Sequence, residues 1–297
     1  SDIALQEMKD TDVIVPAGID AHVGADAVSM ICALQLPETK ETILAVDIGT
    51  NAEIALSCKR EISVCSAPAG PAFEGAQISQ GMRGEPGAIA GMHIARQSGN
   101  ILLEVIPDDR RNVYPVRGIC GSGLIDSIAS LRQSGILQPD GYLLCDPEEA
   151  DRLGIPGYLR ERITEKGFLV YLDPGGQQVC LTQKDIRQFQ LAKAAVQAGI
   201  RMLLEQKGLA LQQVDRIYIA GVFGGHISKK SAVLTGLFPD IAPEKLVIAG
   251  NAAGEGAARA LLSEVFLRQT EQVGTEAAHI ELAQQEAFQQ EFLASME

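Results

Sequence analysis

The sequence contains no tryptophan, and aromatic residues make up only 4% of its 297 positions. That argues against an aromatic recognition surface and for α/β packing around Ala, Val, Ile and Leu. Positive charge is also scarce, with 25 Lys and Arg against 38 Asp and Glu for a formal net charge of −13. Nucleic-acid binding through phosphate neutralisation does not suit that balance. An anionic ligand must then be met by local dipoles or a metal. No stretch approaches the ~20 apolar residues of a membrane-spanning helix. Ser1-Asp2 opens no signal peptide, and the missing initiator Met points to a processed or engineered start. The six cysteines, Cys32, Cys58, Cys65, Cys120, Cys145 and Cys180, contain no C-x-x-C pair and no ferredoxin-type spacing. They are expected to be reduced, mostly buried thiols of a cytoplasmic protein. His22, His93, His226 and His279 show no ligand spacing either.

What is present is organised around residues 43–56. Ile43, Leu44, Ala45 and Val46 form a continuous apolar run, the pattern of a strand covered on both faces, and Asp47 stands where it emerges. Gly49 permits close backbone approach, and Thr50 and Asn51 add short polar side chains and N–H donors of the kind that surround phosphate oxygens. A carboxylate at such a turn repels phosphate, so its natural partner is a hydrated Mg²⁺ accompanying a nucleotide. The same residues also make a plain β-hairpin with an acidic turn, and one D-x-G-T pattern does not decide between the two.

Upstream, residues 12–16 read as a short strand, and Asp20 as the cap of a small-sided helix over 21–34. Downstream, a turn at 58–61 leads to a third strand at 62–65, completing a meander. Residues 66–91 are dense in Gly and Pro, with Pro71 at a helix start. They read as a lid, a partner-contacting surface or a surface excursion without a role. Residues 92–117 read as strands around a charged turn at 108–111. Gly121, Ser122 and Gly123 open a helix to about Ser134 with Leu124, Ile125, Ile128 and Leu131 on one face. Their N–H groups suit a phosphate or ribose oxygen, or serve only as a tight cap. Residues 135–183 carry repeated turn signals and read as an insert, with a strand at 168–172 and a solvated acidic helix start at 146–151. Thr182 and Asp185 make a capping box for a long core helix over 184–207, closed by Gly208. Strands over 214–222 and 245–249 run into Gly221, Gly224, Gly225 and Gly250, where α/β folds bind ligands. Residues 263–297 read as outer helices.

Five segments together carry a resemblance: Val46-Asp-Ile-Gly-Thr-Asn-Ala-Glu-Ile54, Ala67-Pro-Ala-Gly-Pro-Ala-Phe-Glu-Gly75, Gly118-Ile-Cys-Gly-Ser-Gly123, Ile219-Ala-Gly-Val-Phe-Gly224 and Gly250-Asn-Ala-Ala253. The set resembles the superfamily of actin, sugar kinases and heat-shock chaperone ATPases (ASKHA), and more closely the ATPase region of the reductive activators of corrinoid proteins. The resemblance implies an α/β, actin-like or ribonuclease H-like ATPase lobe with a mixed sheet and flanking helices, binding ATP and Mg²⁺. It places Asp47 at the metal and, with Glu53, in a catalytic role. It places Gly49, Thr50 and Asn51 at the β/γ-phosphates, Gly121, Ser122 and Gly123 at the nucleotide, and Gly221, Gly224 and Gly225 at the adenosine. The helix over 21–34 and the one opening at Gly250 become crossing helices between lobes.

Only one Asp-x-Gly-Thr occurs, so the lobe with the first phosphate segment is expected to be largely missing. The family's N-terminal 2Fe-2S domain is expected to be missing as well. Residues 1–42 then hold a strand and the inter-lobe helix, 43–250 the nucleotide-binding lobe and 251–297 the C-terminal helices. The implied activity is ATP-driven reduction of Co(II) to Co(I) in a corrinoid protein of a methyltransferase or O-demethylase system. Electrons would come from the iron–sulfur domain, residues 66–91 would dock the corrinoid partner, and a homodimer is possible. Neither a membrane nor a nucleic-acid partner is implied. Two other readings stay open: a small-molecule kinase with Glu53 or Glu85 as base, and a non-catalytic module that docks the corrinoid protein. A relative, the activators of 2-hydroxyacyl-CoA dehydratases, is disfavoured because they hold a cluster between subunits.

Overall fold

The computed structural model describes residues 13–95, 100–108, 115–221, 227–239 and 241–296. In chain order its elements are α1 (Ala25–Ala33), β1 (Ile43–Ile48), β2 (Ala52–Cys58), β3 (Glu61–Ala67), β4 (Ala88–Ile94), β5 (Ile101–Val105), β6 (Gly118–Ile119) and α2 (Gly121–Gln133). There follow α3 (Pro147–Arg152), α4 (Gly157–Arg160), β7 (Ile163–Thr164), β8 (Gly167–Leu172), β9 (Gln178–Leu181) and α5 (Gln183–Gln206). The chain ends with β10 (Arg216–Ala220), α6 (Lys229–Leu234), β11 (Leu246–Gly250), α7 (Ala252–Leu262), α8 (Glu264–Glu276), β12 (Ala278–His279) and α9 (Glu286–Ala294).

The predicted meander forms, and it is the middle of a six-stranded mixed sheet ordered β11-β10-β1-β2-β3-β12. β1, β2 and β3 are antiparallel neighbours, whereas β1, β10 and β11 run parallel. The parallel set brings the ends of β1, β10 and β11 to one edge, where α/β sheets present their ligands. Alternation assigns the two faces. Leu44, Val46, Ile54 and Leu56 face the core under α5, while Ile43, Ala45, Ala55 and Val64 face a second core under α1, α7 and α8. Gly256 lets α7 lie backbone-close on α1, because a Cβ there would run into the carbonyl of Ser29. The small-sided helices expected to cross therefore do pack on each other.

The capping box at α5 is present: Thr182 accepts from the Asp185 N–H, and Asp185 Oδ2 accepts from the Thr182 N–H at 2.8 Å. Such a cap contributes about 1 kcal/mol. Residues 135–183 are not merely appended, since Ala150, Phe168 and Val170 join the same core as Leu44 and Val196.

Several boundaries differ from expectation. α1 begins at Ala25 rather than Ala21, because Asp20 is engaged in a turn: its carboxylate takes the Ala21 N–H at 2.6 Å and its backbone pairs with Val23. Of the strand expected at 12–16, Asp12 lies outside the described residues and 13–16 form no strand; Val13 and Val15 are exposed and unpaired. An apolar run becomes a β-strand only where a neighbouring strand takes its hydrogen bonds. The strand expected from residue 92 starts at Ala88, and positions 109–111 of the charged turn lie outside the described residues. β12, not anticipated, interrupts the C-terminal helices by pairing with β3. All six cysteines are free; Cys32, Cys65 and Cys120 are buried and the other three partly so. Among the described residues no helix is long and apolar enough to cross a membrane.

Candidate functional site

β1 ends at Ile48 and β2 resumes at Ala52, which makes Gly49, Thr50 and Asn51 a three-residue loop at the parallel edge of the sheet. Asp47 stands opposite Glu53 in the hairpin register, and alternation with Ala45 and Ala55 puts both on the α1 face. The neighbouring strand delivers Gly221, whose φ is 95° and where a Cβ would lie 2.5 Å from Asp47 Oδ1. Only glycine combines that backbone with that proximity. The Gly221 N–H donates to Gly250 O at 2.9 Å, and Asn251 caps α7 by accepting from the Gly254 N–H at 2.9 Å. Asp47, Glu53, Gly49–Asn51 and Gly221 are thus brought together beside the start of α7.

Burial, then the charge of Asp26, pushes the Asp47 carboxyl up to about 6. Burial, then Asp26 and Asp47, pushes Glu53 up to about 7, against the opposing pull of a Ser66 hydroxyl 3.3 Å away. Asp26 lies in the first turn of α1 and accepts the Ala27 N–H at 2.8 Å. It was not singled out from sequence, where its signal is only an acidic residue just inside a helix start. Like charges held this way resist ionisation, and a cation relieves them. Among the described residues no three or more His, Cys, Asp or Glu are arranged to hold a metal by themselves. The two facing carboxylates, Asp47 and Glu53, fit Mg²⁺, which keeps several waters and is held by one or two carboxylates together with phosphate oxygens.

A second carboxylate, also not anticipated, reaches the loop from the other direction: Thr50 Oγ1 donates to Glu74 Oε1 at 2.7 Å. Gly70 N–H donates to Thr50 O at 2.7 Å. The segment carrying Glu74 is anchored by buried Phe73, edge-on to Phe189 at 6.0 Å, and by Gly75, whose φ of 82° lets the chain fold back beside Met82. Farther on, the Gln80 side chain donates to Gln178 O at 2.9 Å and accepts the Cys180 N–H at 2.7 Å. Residues 70–82 therefore form a wall beside the loop, held by the buried Phe73 and by hydrogen bonds to β9. Its exposed tip is 83–86.

Gly121, Ser122 and Gly123 are buried at the start of α2. A Cβ on Gly123 would run into the Ile89 carbonyl oxygen, and the Ser122 hydroxyl lies 3.4 Å from Cys120 Sγ. Among the described residues no hydrogen bond joins these three to the Asp47 hairpin. Gly224 and Gly225 lie outside the described residues.

A family model described as the C-terminal domain of RACo, the ASKHA domain, matches residues 41–297. The chain is 34% identical over 283 residues to the corrinoid activation enzyme RamQ of Eubacterium limosum, covering 93% of this chain and 45% of that protein. It is 27% identical over 311 residues to the Co(II) methylated amine-specific corrinoid protein reductase of Methanosarcina barkeri, covering 97% and 52%. A solved structure named reductive activator for corrinoid,iron-sulfur protein superposes with a TM-score of 0.81 at 33% identity, covering 94% of this chain and 43% of that one. The chain spans about half the length of the curated relatives it matches.

Proposed function

This chain belongs to the family of C-terminal ASKHA domains of RACo, and from that premise we propose that it is the ATP-binding part of a reductive activator of a corrinoid protein. ATP binding and hydrolysis here would drive reduction of Co(II) to Co(I) in the partner, with electrons from an iron–sulfur domain outside this chain. The observation that carries the nucleotide reading is the facing pair Asp47 and Glu53 at the end of β1, under the charge of Asp26 and beside Gly49 and Gly221.

In this reading the Thr50 and Asn51 N–H groups would receive phosphate oxygens, and Asp47 would hold Mg²⁺ through its waters. The metal supplies charge neutralisation at the transferring phosphoryl group. Glu53, pushed up to about 7, is poised to accept a proton from the attacking water near neutral pH. Gly221, packed against Asp47 Oδ1, would turn the end of β10 toward the adenosine, and the tip at 83–86 is the surface offered to the corrinoid protein. The same Glu53 would serve a small-molecule kinase, but the relatives named for corrinoid activation favour an activator over a kinase.

Calorimetric titration with a non-hydrolysable ATP analogue, with and without Mg²⁺, tests the site. Saturable Mg²⁺-dependent binding is expected, weakened on the order of 10–100-fold by Asp47→Asn. Binding indifferent to both metal and substitution, or no binding by the folded chain, overturns the assignment.

A further inference from the structure

The loop at 49–51 has fewer free donors than its residue types promise. Gly49 N–H already donates within the loop to Asn51 O at 3.0 Å. The Thr50 hydroxyl donates to Glu74 Oε1 at 2.7 Å, and since a carboxylate only accepts, the direction of that proton is fixed. Charge-assisted bonds of this kind are among the stronger ones, so the proton is not readily surrendered. The Thr50 carbonyl is held as well, by the Gly70 N–H at 2.7 Å. Both polar ends of Thr50 are therefore tied to a wall that Phe73 anchors in the core. Among the described residues, the loop donors given no hydrogen-bond partner are the N–H groups of Thr50 and Asn51 and the exposed side-chain amide of Asn51. The hydroxyl has only lone pairs to offer, and lone pairs repel phosphate oxygens while attracting a cation or its bound water.

We infer that Thr50 Oγ1 is an acceptor on the Mg²⁺ side of the site, held in that role by Glu74 as a positioning residue, while the Thr50 and Asn51 N–H groups take the phosphate oxygens. The inference rests on the Mg-ATP reading and deepens it, because Thr50 then works with Asp47 rather than with the phosphates. It also gives the loop a means of discrimination. Glu74 withholds the Thr50 hydroxyl proton from metal-free ATP and adds a negative charge against it, so the loop favours the metal complex.

The test is titration of the 297-residue chain with a non-hydrolysable ATP analogue, once in Mg²⁺ and once in chelator, for the parent chain, Thr50→Val, Thr50→Ser, Glu74→Ala and Glu74→Gln. Thermal unfolding identifies the variants that stay folded. Thr50→Val, which keeps the shape and removes the oxygen, is expected to weaken Mg²⁺-dependent binding about tenfold and to leave binding in chelator unchanged, with Thr50→Ser restoring it. Glu74→Ala is expected to weaken the Mg²⁺-dependent part and to tighten binding in chelator, because the hydroxyl becomes free to donate. Glu74→Gln, whose amide oxygen still accepts, falls between. If Thr50→Val weakens binding equally in both conditions, the hydroxyl serves phosphate and the division of labour is wrong while the Mg-ATP site stands. If the folded parent chain binds in neither condition, the Mg-ATP reading fails and takes this inference with it.

Discussion

The loop at Gly49 and the helix start at Gly123 are made of the same materials, glycine beside a hydroxyl residue, and use glycine to opposite ends. A Cβ on Gly49 would find Asn51 O at 3.4 Å and Glu74 Oε1 at 3.8 Å, both ordinary contacts, so the folded chain has room for a side chain there. What the missing side chain leaves open is approach from solvent. At Gly123 the room is already taken, since a Cβ would meet the Ile89 carbonyl, and glycine is what allows α2 to lie on β4. A glycine at such a turn reports that something comes close; whether that is a ligand or the next strand is decided by the fold.

The largest effect that would break this comparison is at the helix start. Gly123→Ala forces backbone to move and is expected to destabilise the chain by about 3 kcal/mol, the upper end of overpacking costs. Denaturant unfolding measures it, and the nucleotide affinity of the protein that remains folded should not change. Lost affinity at unchanged stability would instead make 121–123 part of the nucleotide site.

The converse is expected at the hairpin. Gly49→Ala should leave stability within about 0.5 kcal/mol, yet reduce affinity for the Mg²⁺ complex of an ATP analogue by about tenfold, or ~1.4 kcal/mol. A variant that binds as the parent does would mean that no ligand comes near this glycine. The two substitutions are chemically identical, so the pair separates packing from binding without differences in side-chain size.

How far the sequence could anticipate this follows from how local each signal is. The apolar run at Ile43–Val46, the Thr182 and Asp185 spacing and the closing Gly208 are complete within a few residues, and each marks an element that forms. α1 starts at Ala25, later than an Asp20 cap predicts, because Asp20 satisfies its immediate neighbour first, a competition that short acidic side chains offer wherever they occur. β12 has only two residues and exists because the edge of β3 is available to it. At the site, Asp47 and Glu53 belong to one hairpin and could be read together. Asp26 and Glu74 could not, since one arrives on a helix from across the sheet face and the other from 24 positions beyond Thr50. Tertiary proximity of like charges leaves no pattern in a single sequence.

The smallest effect concerns charge, where the two regions can also be told apart. Asp47, raised from 3.8 to about 6, and Glu53, raised from 4.5 to about 7, both hold protons more tightly in the folded chain than in the unfolded one. The folded state then binds more protons, and stability must fall as pH rises. The contribution of these two groups is complete below their ordinary values near pH 4 and is lost as pH climbs through about 6 to 7. In chelator, the urea midpoint is therefore expected to be lower at pH 7.5 than at pH 5, and an Asp47→Asn, Glu53→Gln double variant should flatten the difference. Asp126, on α2, is also raised, chiefly by burial, so a residual slope of the same sign should survive in the double variant and disappear on adding Asp126→Asn. Mg²⁺ added at pH 7.5 should restore stability to the parent chain and not to the double variant, because a cation relieves only charges that are there. If the double variant keeps the full pH dependence, the charge strain lies elsewhere and the hairpin has no special claim on a metal.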